Sequence, residues 1–263
     1  MKNKISITLN EKTLQEIDTI IDRIYIRNRS QAIEYLVTQA LGENKTAVIL
    51  SGGVEHKLKI GKDYNITAMV GNRRLVEMAV LKLRENGFKS IFVVARQKVL
   101  TAVFSAMGDG SKYGVKISYV EEKESRGTAD SLRLLKGKVT GSFLVVYGDI
   151  IFSKINIDEL WMDHVKHGSM VTLMLTTSAK PSDKGTVVME GSKVLDFIQK
   201  PRESDVYLVF SPIFAASSEL LDYSGASLEK NVFPVLAERG LMLGHLSSQK
   251  EKHVHSLEDV KNV

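Results

Sequence analysis

The sequence predicts an α/β fold: a small strand-and-helix module followed by a doubly wound sheet domain. Three observations lead there. The run Thr46-Ala47-Val48-Ile49-Leu50-Ser51 breaks abruptly at Gly52-Gly53, as a buried strand does when it feeds a loop whose backbone a ligand can approach. Past that loop, apolar runs alternate with helical stripes, the pattern of strand–helix units packed into one sheet. Before it, one alternating stretch and two short helical stripes fill about 40 residues, too few to close a core unaided.

Bulk properties narrow the functional classes. Of the 263 residues, 43% are apolar and 25% charged, which is ordinary for a globular protein. With no cysteine, disulfides, thiolate metal sites and cysteine nucleophiles are excluded. No apolar run approaches the roughly 20 residues that span a bilayer. The start, Met1-Lys2-Asn3-Lys4-Ile5, leads into no signal-peptide core, so a cytoplasmic protein is expected. The net charge of +5 suits phosphate-bearing partners but identifies none.

Residues 4–9, Lys-Ile-Ser-Ile-Thr-Leu, alternate polar and apolar as a half-buried strand does. Asn10 is placed to cap a helix with the stripe Leu14, Ile17, Ile20, Ile21 and Ile24. After a break at Tyr25-Ile26-Arg27, Asn28 caps a second helix with the stripe Ile33, Leu36, Val37, Ala40 and Leu41, stopped by Gly42. Such a module must dimerise, dock on the rest of the chain, or do both.

The runs Lys4-Ile5-Ser6-Ile7-Thr8-Leu9-Asn10-Glu11 and Asn28-Arg29-Ser30-Gln31-Ala32-Ile33 resemble a ribbon-helix-helix DNA-binding domain of the Arc/MetJ/CopG class, covering residues 1–43. The resemblance implies a homodimer, open to higher assembly, whose first strands pair into a ribbon that enters the major groove of double-stranded DNA. Alternation puts Lys4, Ser6 and Thr8 on the face away from the helices; with Lys2 they are the candidate base-reading residues. Asn28, Arg29 and Ser30 begin the second helix, whose N–H groups and dipole favour a phosphate. In an isolated strand the same positions would read as the solvated face of a sheet edge.

After the polar joint Glu43-Asn44-Lys45, the second domain covers 46–263. A helix is expected over Arg74 to Leu83, a doubly covered strand at 91–95, then a helix (97–107), a strand (115–120), a helix (128–136) and a strand (143–147). A helix near 156–167, a strand at 171–175, a turn-rich β segment to about 214 and a helix near 228–239 complete the pattern. Trp161 sits on a helical stripe and reads as core.

Four stretches here resemble the sugar-1-phosphate nucleotidyltransferase family, whose fold is a Rossmann-like, doubly wound mixed sheet of the GT-A type. Leu50-Ser51-Gly52-Gly53 matches the start of its signature loop. Arg126-Gly127-Thr128-Ala129-Asp130-Ser131-Leu132 matches a segment lining the base, and Phe143-Leu144-Val145-Val146-Tyr147-Gly148-Asp149 a strand whose Asp holds Mg²⁺. Val194-Leu195-Asp196-Phe197-Ile198-Gln199-Lys200-Pro201 matches an element whose Lys contacts the sugar phosphate, and Ser227 to Pro234 fits the late helix. By this resemblance Leu50, Ser51, Gly52, Gly53, Gly127, Thr128 and Asp149 bind the nucleotide, Lys200 binds the sugar phosphate, and Asp149 is the metal ligand. Read without it, Asp149 caps a strand end and Gly127-Thr128 starts a helix.

Departures fall at charge-handling positions. After Gly53 come Val54-Glu55-His56-Lys57-Leu58, so Glu55 stands for a Gly and Lys57 for an Arg, keeping the charge without the bidentate fork. A phosphate-neutralising Lys of the family falls on Tyr64, with Lys59 and Lys62 nearby. Its second metal-holding Asp falls on His253, and an imidazole is a poor Mg²⁺ ligand, which puts that cofactor in doubt. His253 and His255 lack an evident third ligand and read as surface histidines. The expected function is therefore a DNA-binding transcriptional regulator whose catalytically impaired nucleotidyltransferase-like domain senses a nucleotide or nucleotide sugar. The alternative is an active sugar-1-phosphate nucleotidyltransferase in which Lys57, Asp149 and Lys200 serve the reaction.

Overall fold

The computed structural model describes residues 5–24, 26–40, 45–124 and 126–261. The chain divides into two compact units, Met1–Glu43 and Asn44–Val263.

In the first unit, α1 (Glu11–Thr19) and α2 (Arg29–Ala40) pack around Ile17, Ile26 and Ala32. Both caps form as the sequence implies: the Asn10 side chain accepts from Thr13 N–H at 2.8 Å and that of Asn28 from Gln31 N–H at 3.0 Å. The first helix is shorter than its stripe. It stops at Thr19, because the Asp22 carboxylate accepts the N–H groups of Ile24 and Ile26 (2.9 and 3.0 Å) and folds the chain into a turn. Ile24 is consequently exposed. The strand expected at 4–9 is not formed over residues 5–9; a ladder needs a second strand to accept and donate its bonds. Ile5, Ile7 and Leu9 are 76%, 49% and 37% exposed. Lys2, Lys4 and Gly42 lie outside the described residues.

The second unit opens with β1 (Lys45–Ser51), then two small hairpins, β2 (Lys59–Ile60) with β3 (Asp63–Tyr64) and β4 (Met69–Val70) with β5 (Arg73–Arg74). There follow α3 (Leu75–Glu85), β6 (Phe88–Ala95), α4 (Gln97–Met107), β7 (Lys116–Glu121), α5 (Thr128–Arg133), β8 (Ser142–Tyr147), β9 (Ile150–Ile151) and α6 (Ile157–His167). The β region is β10 (Val171–Thr177), β11 (Gly185–Glu190), β12 (Lys193–Gln199) and β13 (Leu208–Ser217). It leads to α7 (Phe233–Glu238), β14 (Met242–Leu246), β15 (Lys252–His253) and α8 (Leu257–Lys261). Two helices differ from expectation. Residues 128–136 are helical only to Arg133, and 228–239 is a wide turn at Leu228–Val232 before α7, where Pro234 supplies no N–H.

Nine strands form one mixed sheet in the order β10-β14-β12-β11-β13-β8-β1-β6-β7. β1, β6, β7 and β8 are mutually parallel, and β13 joins β8 antiparallel. Alternation along β1 sends Ala47 and Ile49 to the core under α3, α4 and α6, and Val48 and Leu50 to the core under α5 and α7. Trp161 lies in the first of these, edge-on to Phe88 with centroids 5.2 Å apart. From β1 the chain runs outward to β6 and β7, then returns to β8 on the other side. That reversal opens a crevice at the carboxyl ends of β1 and β8, where open α/β sheets bind ligands.

Candidate functional site

The crevice is occupied by the predicted loop. One cleft is lined by Leu50, Ser51, Gly52, Gly53, Gly127, Thr128 and Asp149, so every expected nucleotide-binding residue is gathered there, with Leu58, Asn65, Ser131, Tyr147 and Gly148 completing the wall. Ser51 Oγ is buried and has no hydrogen-bond partner among the described residues. A buried hydroxyl without a partner is costly unless something fills the space beside it.

The Gly pair serves a purpose that sequence reasoning missed. Beneath it lies the buried carboxylate of Glu122, which accepts from Gly53 N–H at 3.0 Å and from the Ser131 hydroxyl. A Cβ on Gly52 would stand 2.7 Å from Glu122 Oε2, so this glycine makes room for a carboxylate of the protein itself. Arg96 Nε donates to the Gly53 carbonyl at 3.1 Å and holds the loop from outside. The nearest signal in the sequence was the acidic pair Glu121-Glu122 just before the Arg126-Gly127-Thr128 segment.

A second buried carboxylate braces the opposite wall. Glu229 accepts the hydroxyls of Thr128 (2.7 Å), Ser227 (2.8 Å) and Tyr147, while Thr128 Oγ1 accepts from Leu228 N–H at 2.9 Å. Burial, and then the charge of Glu229, push the Tyr147 phenol well above its ordinary pKa, so it stays a neutral donor. Gly127 is fixed by close approach, since a Cβ would come within 2.5 Å of the Ala226 carbonyl. Gly127-Thr128 starts α5, as the bare sequence implies, and also lines the cleft.

The charge-handling departures fall as follows. Glu55 ion-pairs with Lys98 at 3.3 Å and accepts from the Tyr64 hydroxyl at 3.1 Å. Burial pushes the Glu55 carboxyl up, but these partners outweigh it and hold the pKa below its usual range. Lys57 is exposed on the short turn Glu55–Leu58, next to the lining residue Leu58. Lys200 is exposed, outside the cleft wall, and carries φ +48°, a strained backbone for a residue with a side chain.

Beside Asp149 lie His253, which the family resemblance had put at a metal-holding position, and His255, which it had not. Pairing of β9 with β15 sets His253 against Ile150, and Val254 N–H donates to the Asp149 carbonyl at 2.8 Å. His255 Nδ1 lies 3.6 Å from Asp149 Oδ2. The expectation of unassociated surface histidines is thereby corrected: Asp149 is the third member of their group. Mg²⁺ does not fit this set, because it demands hard oxygen donors and two of the three groups are imidazoles.

In the first unit, Ser6, Thr8, Asn28, Arg29 and Ser30 are all exposed. Arg29 is not a free cation. Its Nε and Nη2 donate to the two carboxylate oxygens of Asp18, both at 2.7 Å.

Residues 46–234 match the family described as Nucleotidyl transferase, and the chain belongs to that family. Among curated relatives, "Probable mannose-1-phosphate guanylyltransferase 1" of Oryza sativa subsp. japonica is 32% identical over 181 residues, 65% of this chain and 50% of that protein. The "Mannose-1-phosphate guanylyltransferase catalytic subunit beta" of Danio rerio is 33% identical over 141 residues, 49% of this chain and 38% of that one. The chain thus spans about half or less of the length of these relatives. A Bacillus anthracis crystal structure assigned as a glucose-1-phosphate thymidylyltransferase, in complex with a sucrose, superposes with a TM-score of 0.74. It is 19% identical and covers 83% of this chain and 93% of that one, a likeness of fold.

Proposed function

We propose that the second unit is a sugar-1-phosphate nucleotidyltransferase domain that binds a nucleoside triphosphate or nucleotide sugar between β1 and β8. The observation that carries this is the single cleft into which the Leu50–Gly53 loop, Gly127-Thr128 and Asp149 all converge. The names of the relatives make GTP and mannose 1-phosphate the first pair to test. In the reaction, a phosphate oxygen of the sugar attacks the α-phosphorus and pyrophosphate leaves, so the protein's task is to align the anions and offset their charge. Lys57, beside the loop, and Lys200, on its strained turn, are the cations proposed for the triphosphate and the sugar phosphate. Purified protein incubated with divalent cations, nucleoside triphosphates and sugar 1-phosphates should release pyrophosphate, and Lys200→Ala should raise the KM for the sugar. Absence of turnover with every pair, alongside nucleotide binding, would sink the catalytic part of the reading.

A second reading, a ligand-responsive DNA-binding regulator with impaired catalysis, is favoured by two observations. Glu122 already engages the Gly53 N–H, and Glu55 and Tyr64 spend their polar groups on each other and on Lys98. The first unit also leaves Ile5, Ile7 and Leu9, which alternate with polar residues in the sequence, exposed, so a homodimeric partner strand would have apolar surface to cover. Under this reading Ser6 and Thr8, with Lys2 and Lys4, face bases, and the Asn28-Arg29-Ser30 helix start meets phosphate. Gel shifts on the gene's own promoter decide it: Ser6→Ala and Thr8→Ala should weaken retention, and no retention by the unaltered protein removes the DNA claim.

A further inference from the structure

We propose that Asp149, His253 and His255 form a binding site for a divalent transition cation of the zinc type. One carboxylate oxygen and one nitrogen from each ring lie within 4.8 Å of one another. Zinc–ligand bonds of about 2.0–2.2 Å place tetrahedral ligands roughly 3.4 Å apart. The 3.6 Å between Asp149 and His255 is already close to that, and small side-chain rotations bring in the rest. The two rings lie 5.2 Å apart and nearly parallel.

The surroundings of His253 point the same way. Glu251 Oε1 stands 3.3 Å from its Nε2, and Glu251 is itself fixed by Lys184 and by the Ser211 hydroxyl at 2.7 Å. A carboxylate on one ring nitrogen sets the tautomer and leaves the lone pair on the other, the support that metal-binding histidines have. That other atom, His253 Nδ1, is buried and has no hydrogen-bond partner among the described residues. Two imidazoles and a carboxylate suit zinc or cobalt, whereas Mg²⁺ prefers an all-oxygen shell. Three protein ligands leave the fourth tetrahedral position open, beside the cleft that Asp149 also lines. The inference stands on these side chains and does not depend on the transfer reaction.

The test uses the full, untagged chain, stripped with a chelator and titrated with Co²⁺ while the visible absorption of the bound ion is followed. One Co²⁺ per chain is expected, displaced by Zn²⁺ and not by a large excess of Mg²⁺. His253→Ala and His255→Ala should each weaken Co²⁺ binding at least 100-fold, and Glu251→Gln by 10- to 100-fold. His255 has a side chain 61% exposed, so its replacement leaves folding intact. Unchanged Co²⁺ affinity in His255→Ala, or displacement of Co²⁺ by Mg²⁺, would overturn the proposal.

Discussion

Glu122 and Gly52 share one small space, and the contact sets a measurable coupling. Gly52→Ala should lower stability by about 1–3 kcal/mol through overpacking against the carboxylate, read as a fall in urea midpoint. In a Glu122→Ala background the same change should cost much less, because the clash is gone, so the double-mutant cycle should be strongly non-additive. Additive costs would mean that the two residues do not compete for the space. His164 supplies a second test. It is buried between Thr172 (3.1 Å) and Ser142 (3.2 Å), and burial drops its pKa to about 4. The unfolded chain takes up a proton near pH 6.5, while the folded one refuses it until about pH 4. Stability is therefore full above pH 6.5 and declines as pH falls towards 4, by up to about 3 kcal/mol. His164→Gln should flatten that stretch of the stability–pH curve. None of these residue-level features was legible in the sequence, because each depends on groups brought together from distant positions.

Single elements were far easier to read. The helix at 97–107 forms with those bounds because Val99, Leu100, Val103 and Met107 keep one face against the sheet. Expectations failed where a side chain overrode the pattern, as when Asp22 captured two backbone N–H groups and ended α1 early. They failed also at residues 5–9, where the alternating pattern has no neighbouring strand in this chain to pair with. Removing a cap tests the local physics: Asn10→Ala should destabilise the first unit by about 1 kcal/mol, seen by circular dichroism. Ile7→Lys places a charge in the stripe a ribbon partner would cover. If the first units pair as proposed, it should convert dimer to monomer in sedimentation, and an unchanged association state would refute pairing through this segment.

At the scale of the whole molecule, alternation of apolar runs and stripes was sufficient for the α/β sheet, since a strand buried on both faces has few alternative places to go. The strand-to-glycine loop at Leu50–Gly53 was legible from the residue pattern, whereas Gly127, Thr128 and Asp149 were pointed to only by the family resemblance. What the linear pattern hid was partnership: Arg29 with Asp18, Glu229 with Tyr147, and Asp149 with His255, brought close only when β15 pairs with β9.

The lone tryptophan has a practical consequence. Trp161, edge-on to Phe88 in one core of the second unit, makes fluorescence excited selectively at tryptophan, where Tyr25 and Tyr35 do not absorb, a reporter of that unit alone, since the first 43 residues contain no tryptophan. Far-ultraviolet dichroism, by contrast, sums the helices of both. If the two units melt independently, the optical signals will give different midpoints in one titration. A ligand of the second unit should then shift the fluorescence midpoint, whereas one that binds the first unit alone should leave it where it was.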